Sequence, residues 1–262
     1  MILPASYHTG FAPRDGYPAY PELWRGCVGA WAPCLGPTGL TLRDWSGRQN
    51  HGTLTNMVPG DDWVVSGGRY ALDFDAIDDQ VSCGANVVTG GEITVFGWMN
   101  RRGVGSNNNN VICAKGSLSG NSTSTFALYY NETLGWSWFC VDNANSLIIT
   151  RSLSSTAFNT WHFVCGTLSS SAIRLFINGV LVSSAAGGVV KTSTHTTVLG
   201  VSGGIGGNCI LDSVGVVNRA MSAHEIRTLA ARRGIAYEMY RPTYYAPQVT
   251  SARRRKILTG QV

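Results

Sequence analysis

Side-chain catalysis needs acids, bases or nucleophiles brought together, and the carboxylates come first. The nearest approach to a paired acid is Asp73-Phe74-Asp75, which puts two carboxylates on one face of a strand. Retaining glycoside hydrolysis would need two such groups about 5–5.5 Å apart across a cleft. His162 sits in the alternating run Trp161-His162-Phe163-Val164, where it reads as a sheet-face or core histidine rather than a base. His51 opens a strand and reads as structural, and no Ser-His-Asp order stands out. The seven cysteines (Cys27, Cys34, Cys83, Cys113, Cys140, Cys165, Cys209) are odd in number and lie mostly in apolar runs such as VICAK, WFCV and HFVCG. No C-x-x-C occurs, so the sequence predicts free, mostly buried thiols made in a reducing compartment rather than a zinc site. GVSGGIGGN precedes no helix and reads as a turn, not a phosphate cradle. A binding platform is the remaining chemistry. Trp136 and Trp138 lie two apart and share a strand face, with Tyr130 close by in sequence, as a sugar-stacking surface would require. The same residues suit the inner face of a sandwich core, and core packing is the favoured use of them.

The elements that must position these residues are strands. The chain has 262 residues, 44% hydrophobic and 13% charged, with 32 glycines, which suits one large all-β domain with extensions or two small domains. From Trp24 to about Asn218, short runs such as ITVFGWM, TFALYY, GWSWFCV and WHFVCGTL are separated by Gly, Asn, Ser and Asp clusters. Between IRLFI and VLVSS, Asn178-Gly179 predicts a type I′ hairpin turn. Ile173, Leu175 and Ile177 then share one face, and Arg174, Phe176 and Asn178 the other. One helix is predicted in SAHEIRTLAARRG. Ser222 and Glu225 form a capping box, Ala223, Ile226, Leu229 and Ala230 an apolar stripe, and Gly234 the C′ position, with Arg232 and Arg233 at the negative helix end. No window of eighteen apolar residues exists, so no membrane span is predicted. The first twenty residues lack a basic start and a long apolar stretch, which predicts a chain without a signal peptide. From residue 232 onward seven basic side chains stand against Glu238, so the positive charge gathers at the C-terminus and the body is near neutral.

Four segments in order carry a resemblance: CVGAW followed by LRDWSGRQNHGTL; YALDFDAIDDQVSCG; TWHFVCGTL with IRLFINGVLV; and ILDSVGVVNRAMSAHEI. Over roughly residues 24–231 the chain resembles the laminin-G-like, concanavalin A-like jelly-roll family. That resemblance implies an all-β, two-sheet antiparallel jelly-roll sandwich with one short C-terminal helix and extended terminal arms. The division expected is a 1–22 arm, a 23–234 sandwich and a 235–262 basic, Tyr- and Pro-containing arm. The resemblance places Asp75 with Asp78 and Asp79 in a turn, where carboxylates bond backbone N–H groups, and the E-x-D-x-E acid spacing of related hydrolases is missing, so no enzyme is expected. It also implies a structural Ca2+ held by Asp44, Asn50 and Asp212, the alternative being that Asp44 caps its own turn. The flanks (RDGYPAYPELWRGCVGAW and the Arg/Tyr/Pro tail) look like tailed-bacteriophage structural proteins. The expectation is therefore a non-enzymatic virion component, capsid-decorating or tail-associated, made in the host cytoplasm. Its alternative is a glycan-binding or adhesion module. Partners would be other virion proteins, further copies of the chain and host-surface glycans, with nucleic acid not expected. Tyr240, Tyr244, Tyr245, Arg253, Arg254 and Arg255 would dock the C-terminal arm on a partner.

Overall fold

The computed structural model describes residues 17–87, 90–118, 122–153 and 156–240. Two antiparallel sheets face each other. Among the described residues one has nine strands, in the order Leu147–Ser152, Gly135–Val141, Ser124–Asn131, Asn109–Gly116, Thr197–Ser202, Gln80–Ser82, Gly52–Thr55 and Thr41–Leu42, with Ile205–Gly206 paired to Thr197–Ser202. The other has eight: Val180–Ala186, Ala172–Ile177, Trp161–Leu168, Ile93–Arg101, Asn208–Val217, Arg69–Asp75 and Trp63–Ser66, with Cys27–Trp31 also on Asn208–Val217.

The run ITVFGWM shows how the sequence builds this. Ile93, Val95 and Met99 join the core between the sheets, while Phe96 and Trp98 point outward into a second cluster. A half-exposed antiparallel strand would alternate apolar with polar; this one is apolar on both faces because both are covered. The inner core holds Trp31, Phe74, Phe126, Trp136 and Trp138. The outer cluster is closed by Ile226 and Leu229 of the helix Ala223–Ala230. In that helix Ser222 accepts from the Glu225 N–H, and Glu225 accepts from the Ser222 N–H at 2.8 Å, the reciprocal box expected. Asn178 and Gly179 have φ of 50° and 80°, as a type I′ turn demands, and Ile177 pairs with Val180.

Three expectations need correction. Ala223 is exposed, so the apolar stripe is narrower than predicted. Gly234 is not the helix C′ residue: the helix ends at Ala230, and Gly234, with φ 75°, opens the 3-10 turn Ile235–Tyr237 instead. The sandwich also reaches further at both ends than the 23–234 expected. Tyr17–Pro18 pairs with Met239–Tyr240, the Ala19 N–H donates to the Glu238 carbonyl, and Trp24 Nε1 donates to the Ala236 carbonyl at 3.0 Å. Trp24 meets Tyr237 edge to face at 5.4 Å. Residues 17–22 and 235–240 thus pack on their own sandwich. A two-residue strand and a single 3-10 turn are too short to show any period, which is why composition alone assigns them to arms.

Candidate functional site

The loop after Cys27–Trp31 is organised around one carboxylate. Asp44 is buried and accepts four hydrogen bonds, from the backbone N–H groups of Ala30 (2.9 Å), Ser46 (2.8 Å) and Asn50 (2.9 Å) and from Ser46 Oγ (2.7 Å). Its own N–H donates to His51 Nδ1 at 3.0 Å. Asn50 Nδ2 donates to the Val28 carbonyl at 2.8 Å, and Trp31 Nε1 to the Asn50 carbonyl at 2.9 Å. A short polar loop that satisfies this many buried groups has one conformation open to it.

That rigidity sets the two residues flanking Asp44. The Trp45 N–H donates to the Ala30 carbonyl at 2.8 Å, and the indole packs against the outer hydrophobic cluster. Arg43 lies over the Trp45 ring, its guanidinium carbon 4.5 Å from the centroid. Both line a cleft of about 180 Å3 with Ala32, Leu35, Gly36, Pro37, Thr38 and Leu42. Leu35 and Leu40 beside it are exposed. Sequence reasoning quoted this loop for its resemblance but did not single out Arg43 or Trp45. The available signal was a tryptophan between Asp44 and Ser46 in a loop, outside any run of period 2 that would bury it.

The predicted calcium ligands divide between two hydrogen-bond shells. Asp44 and Asn50 share the loop shell just described. Asp212, fully buried, accepts from the Cys34 N–H (3.2 Å) and Ser213 Oγ (3.2 Å), and its second oxygen faces Arg233 Nη1 at 3.8 Å. Burial pushes the Asp212 carboxyl up, and the Arg233 charge opposes this. Arg233 lies over Trp161 at 4.1 Å and donates to the Ser66 and Gly67 carbonyls. Both Asp44 oxygens are taken up by N–H and O–H donors, and Asp212 Oδ2, which has no hydrogen-bond partner, faces the Arg233 charge, so these three residues as arranged do not fit one calcium ion, which needs six to eight oxygen ligands.

The predicted sugar platform is also corrected. Trp136 and Trp138 have no exposed surface and Tyr130 is 3% exposed; all three belong to the inner core. Trp138 Nε1 donates to the Thr167 carbonyl, and Tyr130 lies under the Arg101 guanidinium at 3.6 Å. The alternation that suggested a platform is that of an inward face.

Asp73, Asp75 and Asp79 are each held in local contacts. Asp73 pairs with Arg102 at 2.7 Å. Asp75 accepts from the Ile77 N–H, and Asp79 from the Asp75 N–H, as turn carboxylates do. Asp75, Asp78 and Asp79 have oxygens within 4.8 Å of one another. Burial first, then the charges of Asp75, Asp62 and Asp78, raise the Asp79 carboxyl to about 6, with the Asp75 N–H pulling the other way. His162 is half-buried, its Nδ1 3.1 Å from the Thr160 carbonyl, and burial lowers its pKa. Six of the cysteines are buried and Cys34 partly so. Of the predicted docking residues, Tyr240 is described only in its backbone; Tyr244, Tyr245, Arg253, Arg254 and Arg255 lie outside the described residues.

No curated protein matches the sequence significantly. Among solved structures, the receptor binding domain of botulinum neurotoxin D is 15% identical with a TM-score of 0.59, covering 79% of this chain and 53% of its own. Domain 4 of AbnA, an extracellular arabinanase from Geobacillus stearothermophilus solved with arabinotriose, is 13% identical with a TM-score of 0.59, covering 78% and 98%. Trypanosoma rangeli sialidase is 14% identical with a TM-score of 0.56, covering 78% and 32%. The chain thus spans about half the length of the neurotoxin chain and nearly all of the arabinanase domain. At such identities the likeness is one of fold. Residues 75–227, more than half of the chain, match the Laminin_G_3 family, and the chain therefore belongs to this family of the concanavalin A-like lectin/glucanases superfamily.

Proposed function

We propose that this chain is a non-enzymatic binding module that takes carbohydrate at the Arg43–Trp45 cleft. The observation that carries the reading is the fixed Arg43–Trp45 pair at the mouth of an apolar-walled cleft. Sugar sites pair an aromatic ring or apolar wall for the C–H face with a few placed polar groups. Among solved neighbours, a domain of similar fold was determined with arabinotriose, and another is the receptor binding domain of a neurotoxin, which supports the class of ligand. Trp45→Ala should abolish retention on a glycan array while leaving the fold intact. A broad array without a hit, or unchanged binding by Trp45→Ala, would sink the reading.

A second reading concerns where the module sits, and one observation favours it. The described chain ends side by side, at the paired strands Tyr17–Pro18 and Met239–Tyr240. Tyr17 and Tyr240 therefore mark one pole of the described residues, and the sequence that follows Tyr240 is basic. Such a pole suits attachment to a larger particle, and we propose a tailed-phage virion on the strength of the flank resemblance. A chain lacking residues 241–262 should then fold but fail to enter particles. Normal incorporation of that chain would refute the attachment.

A further inference from the structure

We propose that the Arg43–Trp45 cleft selects a carboxylate-bearing sugar, with the Arg43 guanidinium as the partner of the carboxylate. This rests on the carbohydrate reading above and narrows it. Five of the described arginines (Arg101, Arg102, Arg219, Arg232 and Arg233) face a carboxylate of the protein; Arg43 is among those that do not, and it is the one that lines this cleft. Arg43 has no ion-pair partner among the described residues; its contact is the Trp45 ring. The adjacent carboxylate, Asp44, is buried and turned to its four neutral donors, so it makes no direct ion pair with Arg43. Arg48 adds a second positive charge to the same loop.

Geometry then selects the ligand. Among the described residues no hydrogen bond or ion pair takes up the Arg43 guanidinium, so its N–H fork, the match for a carboxylate, is open to a ligand. Leu35, Pro37 and Leu42 also line the cleft, and their apolar surface suits the C–H face of a sugar ring. A cleft of about 180 Å3, smaller than the roughly 300–1,000 Å3 of drug-sized sites, has room for one sugar ring. A neutral sugar would meet an arginine that it cannot neutralise; an acidic one completes the pair.

The test uses the full-length protein and three probes: uronic acid and sialyl oligosaccharides, the methyl esters of the same sugars, and neutral oligosaccharides of matched size. The acids should bind at least tenfold more tightly than their esters. That preference should shrink as salt rises, because the site is open to solvent. Arg43→Gln should erase the preference, and Arg43→Lys, which keeps the charge but not the fork, should retain part of it. Thermal melts of both variants confirm folding. Equal binding of acid and ester would overturn this inference and leave the carbohydrate reading standing. So would an acid preference unchanged in Arg43→Gln. Binding of none of the probes, on this panel or a broad array, would remove the carbohydrate reading itself.

Discussion

At the scale of single residues, buried polar groups set the cost of change. Asp44→Ala would leave the buried N–H groups of Ala30, Ser46 and Asn50 without an acceptor. Each orphan costs about 1–3 kcal/mol, so the variant should lose about 3 kcal/mol or more by urea titration, and sugar binding with it. Gly166 is set by close approach instead: a Cβ there would sit 2.3 Å from the Trp138 ring. Gly166→Ala should cost about 1–3 kcal/mol as overpacking. Asp79 makes a pH prediction. Its carboxyl is raised from 3.8 to about 6 by burial and neighbouring acids. The unfolded chain therefore ionises first, and stability falls as pH rises from about 4 to about 6, then levels. Melting temperatures across that range should decline in the wild type and less in Asp79→Asn; identical profiles would contradict the assignment.

At the scale of elements, the helix Ala223–Ala230 is held by its first turn. Glu225 is buried, which alone would raise its pKa. Hydrogen bonds from Arg219 and Ser222 outweigh that and bring it from 4.5 to about 2. Here the sign is the reverse of Asp79: the stabilisation is complete above about pH 4.5 and is lost as pH falls towards 2. Glu225→Gln should loosen the helix at pH 7 by about 1–2 kcal/mol and flatten the acid limb of the melting profile. The capping box was legible because it is a local pattern, S-x-x-E before an apolar stripe. The hairpin turn was legible for the same reason, since Asn178 and Gly179 are the residue types that tolerate positive φ.

At the scale of the whole molecule, the packing of the described residues reaches beyond the expected bounds of 23 and 234, to the paired strands Tyr17–Pro18 and Met239–Tyr240. A chain ending at Tyr240 keeps the C-terminal lid of Ile235–Tyr237 and Met239–Tyr240. One ending at Gly234 loses the buried Ile235 and Ala236 and the Tyr237–Trp24 contact. At about 1.5–3 kcal/mol for each large apolar side chain, it should melt several degrees lower by calorimetry. Equal melting of the two would mean that the outer cluster does not depend on its C-terminal lid. The sequence by itself determined what is written in local pattern: strands with alternating faces, the type I′ turn, the capped helix and, through four ordered segments, the sandwich family. Tertiary structure decided which way each face points. Trp136 and Trp138 alternate as a surface platform would, and only the second sheet stacked on them makes that face the core. Asp212 reads as a possible partner of Asp44 until the chain after the helix brings Arg233 to it. Arg43 and Trp45 carry no period at all; they become a site because a buried carboxylate between them freezes the loop and the outer cluster supports the ring. Period reports only that a residue has neighbours on one side, whereas the identity of those neighbours is a long-range fact that a single sequence does not state.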